Sequence, residues 1–101
     1  MSARDPVARF AAGLPAVLSR DGDIVRAWLE TRADGTRVLT VELDDRPPDV
    51  DTASRRVQSL VVRIHALFGA DAQGLGVAVG AGVDVGEPPI AAEVVYRRAS
   101  P

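Results

Sequence analysis

Residues 24–43 predict a β-hairpin, and this stretch constrains the fold more than any other part of the chain. Residues 24–29 and 38–43 are rich in Val, Ile, Leu, Trp and Thr, which suit a pleated, half-buried surface. Because side chains in a strand alternate between two faces, every second residue shares a face. The apolar face of the hairpin consists of alternate residues in both segments, namely Val25, Ala27, Leu29, Leu39, Val41 and Leu43.

The length of the turn decides whether the two apolar faces coincide. A two-residue turn would pair Leu29 with Thr40 and put the apolar faces on opposite sides of the sheet. A three-residue loop over residues 33–35 pairs Leu29 with Leu39 instead. The same register pairs the other apolar residues, Ala27 with Val41 and Val25 with Leu43. The last residue of such a loop is left-handed, which Gly35 allows without a steric clash, so we predict the three-residue loop.

The opposite face of the hairpin is polar apart from one tryptophan. It carries Arg26, Trp28, Glu30, Arg32, Thr40 and Glu42. Two interpretations of Trp28 stay open. Either the indole is partly covered by the aliphatic stem of a neighbouring arginine, or it anchors a partner, because tryptophan is enriched at interface hot spots. In the second case we expect Arg26, Glu30 and Thr40 to be further partner contacts.

Length and composition limit the classes of protein that need to be considered. A chain of 101 residues predicts one domain. The absence of cysteine excludes disulfides and is compatible with the cytoplasm. No apolar leader or membrane-spanning run is visible, so we expect no membrane partner. A net charge of -2 provides no broad basic field, so we expect no nucleic-acid partner either. All twelve basic residues are arginine, which indicates the codon bias of a GC-rich genome.

A first helix is predicted for residues 6–19, after a flexible tail at residues 1–4. Residues 5–6 suit a helix start, because aspartate caps the helix and proline fits its first turn. Glycine and proline within residues 13–15 interrupt the apolar pattern, and an internal proline removes a backbone donor. We therefore predict a kink or a short break at this point.

A second amphipathic helix is predicted for residues 50–68. Asp49 or Asp51 can cap its start, and Gly69 can end it in a left-handed conformation. The residues of its apolar stripe recur at helical spacing and are Val50, Ala53, Val57, Leu60, Val61, Ile64, Leu67 and Phe68.

The last third of the chain predicts one strand and one short element. Residues 75–85 alternate branched side chains with Gly, Ala and Asp, which gives a strand with one nearly bare face and a bend at Gly80 or Gly82. Residues 90–98 fit either a short helix or an edge strand, and we favour the strand. The predicted fold is therefore α+β, a two-layer sandwich of order α-β-β-α-β followed by the short element. Two helices cover one face of a small, mostly antiparallel sheet, and the other face is expected to be open.

No set of residues matches a catalytic, cofactor-binding or metal-binding pattern. His65 is the single histidine, which disfavours a transition-metal site. The aspartates within residues 44–51 fit helix capping and loop solvation, because their spacing is not that of a calcium loop. The glycines within residues 74–82 interrupt a strand without an accompanying lysine, so they do not predict a phosphate-binding loop. We therefore expect a protein that is not an enzyme.

Two short motifs and the order of the segments suggest a family. Residues 27–29 form an Ala-aromatic-Leu segment after the first predicted helix, and residues 95–98 form a Val-Tyr-Arg-Arg segment near the end. With the second strand ending at Asp44 and a long helix after it, the chain resembles the C-terminal domain of the enhanced serine sensitivity (SseB) family over about residues 6–98. The resemblance implies a bacterial, cytoplasmic protein and supplies no catalytic residue.

Two hypotheses for function follow from the sequence. The first is a non-enzymatic protein-interaction module, expected to be a homodimer or to bind another protein, with the contacts around Trp28. The second is a regulatory domain that binds a small ligand or anion. In that case the bare face of residues 75–82 forms a cleft, with Arg55, Arg63 or Arg97 at its mouth.

Overall fold

The structure, a computed structural model, describes residues 6–82 and 85–98. The predicted tail at residues 1–4 and the predicted cap Asp5 lie outside this part of the chain. The described elements are α1 (Pro6–Leu18), β1 (Ile24–Thr31), β2 (Arg37–Leu43), α2 (Val50–Phe68), β3 (Leu75–Ala81) and β4 (Glu93–Arg97). A short 3-10 helix, Gly69–Ala72, joins α2 to β3.

The four strands form one mixed sheet in the order β3-β2-β1-β4. The pairings of β1 with β2 and with β4 are antiparallel, whereas β2 and β3 are parallel. Buried residues of both helices and of one sheet face form a single core. This arrangement confirms the predicted α+β fold with the order α-β-β-α-β-β, and it shows that the last element is an edge strand.

The hairpin has the predicted three-residue loop. Leu29 lies opposite Leu39, as the register requires. The backbone N–H of Arg32 donates to the carbonyl of Thr36 at 2.8 Å, and the N–H of Gly35 donates to the carbonyl of Arg32 at 2.9 Å. Gly35 has a φ of +88°, the left-handed region in which a Cβ would be strained. The loop therefore places the apolar faces of both strands on the same side.

The register departs from prediction at the open end of the hairpin. Ala27 lies opposite Val41 as expected, but Leu43 lies opposite Ile24 rather than Val25. A bulge between β1 and β2 inserts Val25 as an extra residue. The predicted pair of Val25 and Leu43 is therefore wrong, and Ile24 enters the core in place of Val25.

Helix α1 is continuous over Pro6–Leu18, so of the two predicted alternatives at residues 13–15, a kink or a short break, the break is wrong. The apolar face of α1 is buried both before and after Pro15. This burial holds both halves of the helix on the sheet, although Pro15 lacks a backbone donor. Gly13 lies where α1 passes α2. A Cβ at this position would be 2.6 Å from Cε1 of Phe68, so the glycine makes room for that ring.

Helix α2 has the predicted bounds and the predicted cap. The backbone N–H of Thr52 donates to Oδ1 of Asp49 at 2.7 Å. Of the predicted apolar stripe, however, only Leu60 and Ile64 are fully buried, and Val50 is 79% exposed. The helix therefore packs through its middle, and the stripe residues near its two ends, Val50 and Leu67, are exposed.

The connection from β3 to β4 crosses the sheet, because these strands are its two opposite edges. Arg26, on the face away from the helices, donates to the carbonyl of Gly86 at 3.2 Å and forms an ion pair with Glu87 at 3.3 Å. Trp28, on the same face, is only 2% exposed. The expectation of an open outer face is therefore wrong at its centre, since the connection crosses there.

Candidate functional site

The residues predicted around Trp28 form a covered cluster rather than an exposed patch. The guanidinium carbon of Arg26 lies 5.0 Å from the centroid of the Trp28 ring. Arg26 also donates through Nε to Oε1 of Glu42 at 2.8 Å. Thr40 lies opposite Trp28, and Glu30 is half-buried. The structure therefore supports the first of the two interpretations of Trp28, an indole covered by an arginine. The Trp28 side chain leaves almost no exposed surface for a partner to contact.

The structure does not bring the three predicted anion contacts together. Arg63 forms an ion pair with Asp21, with Nη1 at 3.2 Å from Oδ2. Arg97 is exposed on β4, at the opposite edge of the sheet from β3. Arg55 is exposed on α2, which lies on the core side of the sheet, whereas Gly76 and Ala78 face the other side. The bare face of β3 and these arginines therefore do not share a cleft.

An ion-pair network that the sequence analysis did not predict ties α2 to the turn before β1. Arg56 donates to both carboxylate oxygens of Asp23, with Nη1 at 2.9 Å from Oδ2. It also lies 3.3 Å from Asp21, the partner of Arg63. The hydrogen bond from Arg56 lowers the pKa of Asp23, and the same bond raises the pKa of Arg56. The i, i+7 spacing of the two arginines was the available signal, because it puts both on one helix face.

A half-open pocket of about 490 Å³ lies beside this network, at the start of α2. Thr52, Arg55 and Ser59 line it, and so do the charged residues Asp23, Asp45 and Arg56. No described residue forms an ion pair with Arg55. Within residues 6–82 and 85–98, no three His, Asp or Glu side chains converge to hold a metal ion.

The edge of the sheet at β3 lacks the features that usually protect an edge strand. Leu75–Ala81 contains no charged residue and no proline, and its ladder with β2 runs without a bulge. Among the described elements, β2 is the only strand that pairs with it. Gly76 and Ala78 are exposed, and Leu75, Val77 and Val79 are half-buried. Such an edge presents a free row of backbone N–H and C=O groups.

The other edge of the sheet, β4, has the protection that β3 lacks. Its five residues include Glu93 and Arg97, and both are exposed. Its pairing with β1 is shifted between Ala27 and Trp28, which bends the edge. Charge, short length and irregular pairing all discourage the addition of a further strand.

Apolar residues of α2 border the free edge of β3. Val50 and Ala53 line a shallow groove of about 370 Å³ together with Val79, and the charged Arg46 and Asp49 also line it. Val57 continues the same side of the helix and lines a second groove with Val50. We call the strand residues 75–79 and these three helix residues the β3 edge surface.

Comparisons of the chain with protein-family models, with curated proteins and with solved structures found no match. The resemblance to the enhanced serine sensitivity family therefore stays a prediction. Neither helix in the described part of the chain has the length and apolar character that a membrane crossing requires.

Proposed function

We propose that this protein is a non-enzymatic interaction module that binds another polypeptide by accepting an added strand at β3. The observation that carries the proposal is the contrast between the two sheet edges, because β4 is charged and irregular and β3 is neither. An expected cytoplasmic, bacterial setting, without a nucleic-acid or membrane partner, is part of the same proposal.

The physical basis is the pairing of backbone groups. A strand added at a free edge gains main-chain hydrogen bonds, and alternate side chains then dock on either side of the sheet. On the core side, the added strand would cover the half-buried Val77 and Val79 and the exposed Val50. On the other side, Gly76 and Ala78 leave room for the side chains of a partner.

A neutral extended peptide tests strand addition directly. We propose a fluorescein-labelled peptide of alternating Val and Thr, titrated with the protein by anisotropy and mapped by NMR. Amide shifts should concentrate at residues 75–79. Lysine at both exposed strand positions, Gly76→Lys with Ala78→Lys, should weaken binding by about tenfold or more, because edge charges oppose strand addition.

A matched control places the same charge elsewhere. Ala12→Lys with Ala16→Lys adds two lysines at exposed positions of α1 and should leave peptide binding unchanged. Shifts that concentrate at Glu93–Arg97, or equal binding by both double variants, would contradict the proposal.

The pocket beside Arg55 supports a second candidate, the binding of a small anion. Arg55 has no ion-pair partner among the described residues, and Thr52 and Ser59 line the same pocket. A thermal-shift titration with inorganic phosphate and with citrate tests it. Stabilisation that Arg55→Gln removes supports this candidate, and an unchanged melting temperature with both anions opposes it.

A further inference from the structure

We infer that the strand added at β3 is β3 of a second copy of this chain, antiparallel to the first, with a two-fold axis at Val77. This inference rests on the proposed function and names its partner. In this register Leu75 pairs with Val79, Gly76 pairs with Ala78, and Val77 pairs with its own copy.

The strand is close to a palindrome in the size of its side chains. Reading outward from Val77, the next residues are Gly76 and Ala78, and the next are Leu75 and Val79. Small residues therefore meet small ones, and branched residues meet branched ones. Because the pairing preserves the alternation of faces, both apolar sides stay toward the helices. A two-fold interface uses the same patch on both copies, which such a pattern satisfies.

Charge also favours a second copy over an unrelated strand. Residues 75–79 contain no ionisable side chain, so two identical strands meet without opposing like charges. An interface that is specific for a different protein commonly uses complementary charges, and residues 75–79 carry no charge.

The surroundings of β3 define where the pairing ends. Gly80 is buried, whereas Gly76 and Ala78 are exposed, so the accessible part of the edge covers residues 75–79.

The two-fold axis stands perpendicular to the sheet and brings both α2 helices to the same side. The apolar side of the dimer interface is then covered by three residues of each copy, the exposed Val50 together with Ala53 and Val57.

The two ends of the assembly are closed by β4. Four strands from each copy form one continuous sheet whose outer edges are both β4. Glu93, Arg97 and the irregular pairing with β1 oppose the addition of a third copy. The inferred assembly is therefore a closed dimer and not a filament.

A pattern of engineered charges tests both the partner and the register, with mass measured by light scattering. Gly76→Lys with Ala78→Lys places lysine opposite lysine across the axis and should give a monomer. Gly76→Lys with Ala78→Glu places lysine opposite glutamate and should restore the dimer.

A Cβ at Gly76 meets only atoms at 3.9 Å, so the strand has room for the substitution, and circular dichroism checks folding. The unchanged chain and the α1 control, Ala12→Lys with Ala16→Lys, should both be dimers.

A cross-link gives an independent reading, because the chain has no cysteine of its own. Val77→Cys should form an intermolecular disulfide under mild oxidation, since residues directly opposite have Cβ atoms about 5 Å apart. Glu93→Cys, on the other edge, should not cross-link.

The outcomes separate this inference from the proposed function. An unchanged chain that stays monomeric at about 1 mM, the concentration scale of weak association, overturns the inference. A dimer that is not restored by the lysine and glutamate pair also overturns it. If the chain is monomeric but still binds the extended peptide at residues 75–79, strand addition stands and only self-pairing fails. If neither association occurs, both fail.

Discussion

The ring of Phe68 occupies the space that a side chain at Gly13 would need. A Cβ at residue 13 would lie 2.6 Å from Cε1 of this ring. The ring also meets Phe10 edge-on, with the ring centroids 4.9 Å apart, so it is held from a second direction. A side chain at residue 13 therefore requires the ring of Phe68 to move.

The first prediction concerns Gly13→Ala. In an ordinary helix this change stabilises by about 1 kcal/mol, because alanine is the better helix former. Here we expect a net destabilisation of about 1–3 kcal/mol, the usual cost of overpacking. Urea unfolding measures it. The same change in a Phe68→Leu background should recover the helix gain, and a stabilised Gly13→Ala variant of the unchanged background would contradict the prediction.

The second prediction concerns the hairpin loop. Gly35 has a φ of +88°, so Gly35→Ala should destabilise the protein by about 1–2 kcal/mol through backbone strain. Gly22 provides the matched control, because it has no positive φ and a Cβ there meets nothing within 4 Å. Gly22→Ala should be neutral or slightly stabilising. Equal losses for the two variants in urea unfolding would argue against a left-handed Gly35 in the three-residue loop.

The third prediction uses Trp28 as a probe, since it is the single tryptophan of the chain. Because Trp28 is 2% exposed, its emission should be blue-shifted and weakly quenched by acrylamide, and it should shift to the red on unfolding. The emission should not change when Gly76→Lys with Ala78→Lys is introduced, because Trp28 is covered within the single chain. Strong quenching in that variant would show that association, rather than the fold itself, covers the indole.

The fourth prediction concerns acid stability. The hydrogen bond from Arg56 lowers the pKa of Asp23 in the folded protein. The unfolded chain therefore takes up this proton first, with a pKa of about 4, so the stabilisation is complete above that pH and is lost as the pH falls further. Because Asp23 is partly exposed, the contribution is about 1 kcal/mol or less.

Urea unfolding at a series of pH values between neutrality and strong acid measures this effect. Asp23→Asn should remove this part of the acid slope, and Arg56→Gln should remove most of it, because the hydrogen bond from Arg56 is the largest cause of the lowered pKa. An Arg56→Gln variant that keeps the full slope would show that Arg56 is not its cause.

Local chemistry made several elements predictable. The loop at Gly35 follows from the need to align two apolar faces, and the start of α2 follows from Asp49 as a cap. The break predicted at Pro15 did not occur, because burial of the helix on both sides of the proline outweighs the local signal. The bulge at Val25 had no local signal, since it depends on how β1 meets its neighbours.

The candidate surfaces were less predictable. The alternation of branched and small residues predicts the bare face of residues 75–82, and one hypothesis placed that face in a cleft with arginines. Trp28 was left either covered by an arginine or exposed to a partner, and it is covered, on the face that the connection to β4 crosses. No sequence pattern identifies the edge position of β3, because the order of strands in a sheet is not a property of any one strand.

The elements before β4, their order and the register of the hairpin between Ala27 and Val41 follow from the sequence alone, because those features depend on neighbours within one turn or one strand pair. The edge position of β3, the pairing of arginines with aspartates and the covering of Trp28 arise only from the packed structure. Those outcomes depend on contacts between residues far apart in the chain, such as Asp21 with Arg63, and such contacts exist only once the layers have packed.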